Sequence, residues 1–230
     1  MKSKDFALIK PVFTLLLLLV CTSLMKAQSQ DSVKQVKPHN PPIPVEAFFG
    51  NNGLYYQTNV KKAFSPGSRF GFFSLATYTT DYKNKLSANR MLIEAQFSYT
   101  IKGGFGVMTG TDMNAVTGFS VIVGPQHTFA SRKILAVTIA SFFLNEKRDV
   151  KLFGLYEYKP SIGRRWILYN RLQFIYNHSM KEGIHNRSYL YLRSGLKIDA
   201  LVFGLGANLD QFGPKKIFED NYGVFVRWEF

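Results

Sequence analysis

Eight basic residues, Lys102, Lys151, Lys159, Arg165, Arg171, Arg193, Lys197 and Arg227, fall in short segments where apolar and polar residues alternate. Side chains point alternately to the two faces of a strand. This spacing therefore predicts a polar face that carries cations. Glu94, Glu157, Asp210 and Glu229 share that face, and the bases outnumber them two to one. A wet, basic enclosure with low-dielectric walls concentrates anions. The same charges can instead pair with one another and fill a narrow enclosure, and the spacing leaves both outcomes open.

Other chemistry is weaker in the sequence. His178, Ser179 and His185 lie close together, and a histidine beside a serine can activate it as a nucleophile. Adjacent residues on a strand point to opposite faces, so His178 and Ser179 pair only across a bulge. No catalytic residue is assigned, and the chain reads as a non-enzyme. His39, His127, His178 and His185 show no ligand spacing, and Cys21 is the only cysteine, so no metal or cofactor is expected. Gly103 to Gly106 sits at a strand turn and opens no helix, unlike a phosphate loop.

From residue 45 onward the chain is a series of short alternating segments parted by turn residues, the pattern of strands. The expected strands are 45–49, 54–64, 69–79, 91–102, 105–111, 116–126, 133–143, 150–159, 165–177, 188–198, 200–211 and the last ten residues. On residues 91–102 the apolar face is Met91, Ile93, Ala95, Phe97, Tyr99 and Ile101. Leu92, Glu94, Gln96, Ser98, Thr100 and Lys102 lie opposite. Segments 80–89, 178–187 and 212–220 read as long polar loops. The longest apolar run, 134–144, is too short for a helical membrane span.

The two ends suggest a location. Lys2, Lys4 and Lys10 precede an apolar segment at 12–25 and a small residue, Ala27, as in a secretory signal. Residues 1–27 are expected to be the signal, cut after Ala27, and 28–44, with four prolines, a flexible periplasmic leader. Lipidation at Cys21 is a rival, but Val20 before it is not the small residue such signals use. At the other end Tyr222, Val224, Val226, Trp228 and Phe230 form an apolar stripe ending on a terminal aromatic.

That stripe resembles the C-terminal signal strand of Gram-negative outer-membrane β-barrels. The resemblance implies an all-β, antiparallel transmembrane barrel over 45–230, recognised by the barrel-assembly machinery and embedded in outer-membrane lipids. Barrels of this kind start and end in the periplasm, so the strand count is even: twelve, with ten as the alternative. A soluble barrel would place its apolar face inside and a membrane barrel outside. The terminal stripe, the large polar groups of the alternate face and the aromatic strand ends favour the membrane form.

The net charge of +14 fits anionic solutes or membrane surfaces. With an export signal and no dense basic block, nucleic acid is not an expected partner. The expected function is a small porin-like channel with a basic lumen for anionic solutes. Twelve-stranded anion-selective porins are similar in strand count and basic lumen. A non-conducting structural or partner-binding barrel is the alternative, and an outer-membrane lipid hydrolase a third. The oligomeric state is left open.

Overall fold

A computed structural model describes residues 40–83, 85, 89–114 and 118–230. The expected signal and most of the expected leader lie outside these residues. Twelve strands follow one another: β1 (Pro44–Gly50), β2 (Gly53–Ala63), β3 (Phe70–Asp81), β4 (Arg90–Lys102), β5 (Phe105–Asn114), β6 (Gly118–Ala130), β7 (Ile134–Phe143), β8 (Asp149–Tyr158), β9 (Trp166–Ser179), β10 (Ile184–Ile198), β11 (Leu201–Phe212) and β12 (Ile217–Glu229). Each pairs antiparallel with its sequence neighbours, and β1 pairs with β12. The sheet is a closed twelve-stranded barrel, so no strand edge is left open.

The closing seam runs from Pro44 opposite Glu229 to Gly50 opposite Gly223. Phe230 and Ile43 extend it by exchanging two backbone hydrogen bonds of 3.0 Å. We call the end where β1 begins and β12 finishes the base, and the opposite end the far mouth. The β4–β5 turn at the base is Gly103-Gly104, with φ of 60° and 84°. A two-residue hairpin turn with both φ values positive matches the twist of its strands and favours glycine.

Alternation assigns the two faces. Val45, Phe49, Phe97, Val121, Phe203 and Leu205 point outward and are exposed. So does the whole terminal stripe, Tyr222, Val224, Val226, Trp228 and Phe230. The inward faces carry Glu46, Glu94, Gln96, Lys151, Arg171, Gln173, Arg193 and Arg227, all buried. This is the reverse of a soluble barrel, where large apolar groups go inside and charges outside.

Two expected loops are much shorter than the sequence suggests. β9 and β10 reach past 178–187, leaving a turn at 180–183, and β11 and β12 leave a turn at 213–216. The polar residues read as loops are strand residues at the far mouth. Only the β3–β4 connection stays long, between Asp81 and Arg90.

Candidate functional site

The inside of the barrel is filled by ion pairs and rings, so it is not a wide wet lumen. Glu46 on β1 is the hub of the middle. Its carboxylate accepts from Arg171 Nη2 at 2.7 Å and from Arg193 Nε at 2.9 Å. The three side chains come from β1, β9 and β10, and each residue is at most 3 % exposed. Arg193 also lies over the Phe48 ring, 4.2 Å from its centroid, and donates to Asn208 Oδ1 at 2.8 Å.

Room for Arg193 comes from Gly206, one of a row of glycines. Gly50, Gly223 and Gly206 are register partners across β1, β12 and β11, and Gly206 faces Arg193 on β10. A Cβ at Gly206 would meet Arg193 Cδ at 2.8 Å and Nη1 at 2.9 Å. Gly206→Val is therefore expected to push Arg193 off Asn208 and Glu46, at an overpacking cost of about 1–3 kcal/mol. A lower urea midpoint for the folded barrel, read by heat-modifiable mobility, checks this; an unchanged midpoint would show that the groove is dispensable.

A second cluster lies toward the base. Arg227 donates to Glu157 Oε1 at 2.8 Å, to Glu229 Oε1 at 2.9 Å and to the Tyr169 hydroxyl at 2.6 Å. Lys159 bonds Glu157 at 2.9 Å, and Lys197 bonds Glu229. A third lies toward the far mouth, where Lys151 Nζ reaches Glu94 at 2.5 Å and Asp112 at 2.6 Å. Above it Arg187 binds Asp210 at 2.7 Å. Arg90 on β4 binds Glu219 on β12 at 2.7 Å and stacks 3.7 Å over the Phe212 ring. Those strands are not neighbours, so this contact spans the far mouth.

Apolar and aromatic groups fill the rest. Tyr55 and Tyr191 meet edge to face at 5.2 Å, and Tyr189 stacks on Tyr191 at 4.1 Å. Phe73 and Phe153 pack at 6.0 Å, with Leu75, Ile122, Ile139 and Leu155 buried beside them.

Of the eight bases singled out in the sequence, Lys151, Lys159, Arg171, Arg193, Lys197 and Arg227 point inward. Two do not, and are corrections. Lys102 is exposed, because a register break between Thr100 and Lys102 ends the alternation just before the turn. Arg165 precedes β9 and sits at the base rim, 3.6 Å from Asp199 with its side chain 72 % exposed. The sequence also undercounted the carboxylates: Glu46, Asp112 and Asp149 are buried on the inner face.

The inner charge is uneven along the axis. From the base to the middle lie Lys61, Lys159, Arg171, Arg193, Lys197 and Arg227 against Glu46, Glu157 and Glu229. Toward the far mouth Glu94, Asp112, Asp149, Asp210 and Glu219 outnumber Arg90, Lys151 and Arg187. Cations thus predominate in one half and carboxylates in the other.

The serine and histidines are arranged differently from the expectation. Ser179 points inward, donating to Lys147 O at 3.2 Å, while the His178 ring stacks on outward Tyr176. His185 bonds Gly213 O through Nδ1 and Ser188 Oγ through Nε2, both at 2.9 Å. A carbonyl only accepts, so Nδ1 carries the proton and the chain of bonds ties β10 to the β11–β12 turn. Among the described residues no group of three or more His, Cys, Asp or Glu could hold a metal.

No family model matches the sequence, and no curated protein matches it. Several solved structures are similar in architecture. One titled "KdgM porin" is 11% identical, with 82% of this chain and 98% of that chain covered at a TM-score of 0.46. A NanC porin structure is 10% identical, covering 82% and 100%, at 0.49. The outer membrane protein OpdK from Pseudomonas aeruginosa is 11% identical, covering 73% and 64%, at 0.37.

Proposed function

We propose that the chain is a porin-like outer-membrane barrel that passes small anions along a path narrowed by its own ion pairs. The observation that carries this is the Glu46 hub, where two guanidiniums share one carboxylate in the middle of the barrel. A passing anion meets a net positive centre there, and low-dielectric walls strengthen its attraction. Arg171, Arg193 and Arg227 are the chief guides, helped by Lys159 and Lys197, while Lys151 is held between Glu94 and Asp112. Among the described residues, the Gln96 amide, the Ser141 hydroxyl and the Nε atoms of Arg171 and Arg227 are buried without a hydrogen-bond partner. That is hydrogen-bonding capacity a hydrated solute path would use.

The membrane location rests on the outward apolar face and on the aromatic residues it carries. In this reading residues 1–27 export the chain, the base faces the periplasm, and the stripe from Tyr222 to Phe230 is the segment that the assembly machinery reads. Outer-membrane lipid surrounds the outer wall.

A second reading, a non-conducting structural barrel, is favoured by the near-complete burial of the central arginines. Liposome swelling separates the two. Vesicles holding purified barrel should swell faster in a small uronate than in the matching neutral sugar, and the difference should shrink as salt shortens the Debye length below about 8–10 Å. Swelling no faster than that of protein-free vesicles, with either solute, would favour the structural barrel.

A further inference from the structure

Among the described residues, one inward cation at the base of the barrel has no partner. Lys61 on β2 takes part in no ion pair or side-chain hydrogen bond, while Lys159, Lys197 and Arg227 near it are all engaged by Glu157 or Glu229. Lys61, Lys159 and Arg227 line a small cavity of about 30 Å³, whose carboxylates are those same two, already committed. That volume exceeds the roughly 10–15 Å³ that one water needs, so it accommodates a species of one to a few atoms.

The cavity has a built roof. Pro41, Pro42 and Pro44 cross it. They are held by the paired backbone bonds of Ile43 and Phe230 and by a side-chain clasp on β2. In that clasp the Ala63 N–H donates to Asn40 Oδ1 at 2.8 Å, and Asn40 Nδ2 donates to Ala63 O at 3.4 Å. Proline fixes its own φ and offers no N–H, so this strap is stiff and covers the cavity without competing for its charges. Leu135, Val137 and Leu155 form part of the wall, which lowers the local dielectric and strengthens attraction for an ion inside.

We propose that this cavity is a binding site for one small monovalent anion, of halide or formate size, with Lys61 as its principal ligand. Three cations line the cavity against two carboxylates, one of which Lys197 also engages, so the cluster carries net positive charge that a bound anion offsets. Solutes larger than the cavity, such as gluconate, are excluded by the proline strap. The site is a fixed equilibrium feature of the base and does not depend on conduction through the barrel.

The test is chloride-35 NMR on the purified, detergent-solubilised barrel at constant ionic strength, with sodium gluconate as the balancing salt. Binding broadens the chloride resonance in proportion to occupied sites, and added formate should narrow it again by competition. Lys61→Met should weaken chloride binding on the order of tenfold or more, as expected for losing one charge-assisted hydrogen bond. It removes an unpaired cation and orphans no carboxylate, so heat-modifiable folding should persist. Lys62→Met, its exposed neighbour, should behave as wild type. No excess broadening in wild type over Lys61→Met, or equal loss in Lys62→Met, would overturn the site. Because binding is read in micelles, a barrel that fails to conduct still leaves this result interpretable.

Discussion

Glu46→Gln is expected to cost about 3–5 kcal/mol of barrel stability, the range for removing one partner of a buried ion pair. The carboxylate holds Arg171 and Arg193 together, so its loss leaves two guanidiniums side by side with one neutral amide between them. At the roughly 7 Å or less that such a pair can reach, like charges repel strongly unless water enters. Relief comes by hydration of the middle, and the same change should loosen the path there. The check is a urea titration of folded barrel in lipid or detergent, read by tryptophan fluorescence and gel mobility. A midpoint within error of wild type would remove Glu46 from the centre of the description.

The second large effect is expected at Lys151. This ammonium bridges Glu94 and Asp112 across the barrel, at 2.5 and 2.6 Å. Lys151→Met leaves two buried carboxylates facing each other without a cation and should again cost about 3–5 kcal/mol. Adding Glu94→Gln and Asp112→Asn to the same chain replaces all three charges with neutral groups of similar volume. Most of the lost stability should return, because swapping a whole buried ionic cluster for uncharged groups is often near neutral. A triple variant as unstable as Lys151→Met alone would show that packing of the lysine stem, and not charge, sets the cost. By the same logic, replacing Arg171, Arg193 and Arg227 by Gln together would orphan Glu46, while Glu157 and Glu229 keep Lys159 and Lys197, so a compensating change at Glu46 belongs with it.

The strand pattern was legible because a period of two is local: each alternating segment states which face is apolar without reference to the rest of the chain. Even the faces of β4 and β9 follow from it, with Glu94 and Gln96, or Arg171 and Gln173, on the inner side. The far-mouth turns were not legible. His185, Asn186 and Arg187 are polar on both faces, which reads as loop, yet they lie at the start of β10. Where a strand leaves the apolar layer the outer face no longer needs apolar residues, and alternation vanishes while pairing continues.

Register breaks hide in the same way. Nothing in the residues around Lys102 announces the irregularity after Thr100 that carries the lysine out to the turn. Arg165 failed for a simpler reason: it lies one residue before its strand, where no neighbour fixes its direction. The Glu46 hub was the least legible feature. Its partners are 125 and 147 residues away, and a seven-residue strand with one carboxylate carries no sign of which arginines will reach it. Counting bases along the chain therefore gave an evenly basic lumen, whereas closure of the barrel sorts the charges into a basic base and an acidic far mouth.

Single-channel recording in planar bilayers under a potassium chloride gradient tests the proposed anion path most directly. Wild type and Glu46→Gln should both show a reversal potential displaced toward that of chloride. The variant should show the larger unitary conductance, because Arg171 and Arg193 are no longer tied. A reversal potential displaced toward potassium, or silent bilayers for both proteins, would contradict it.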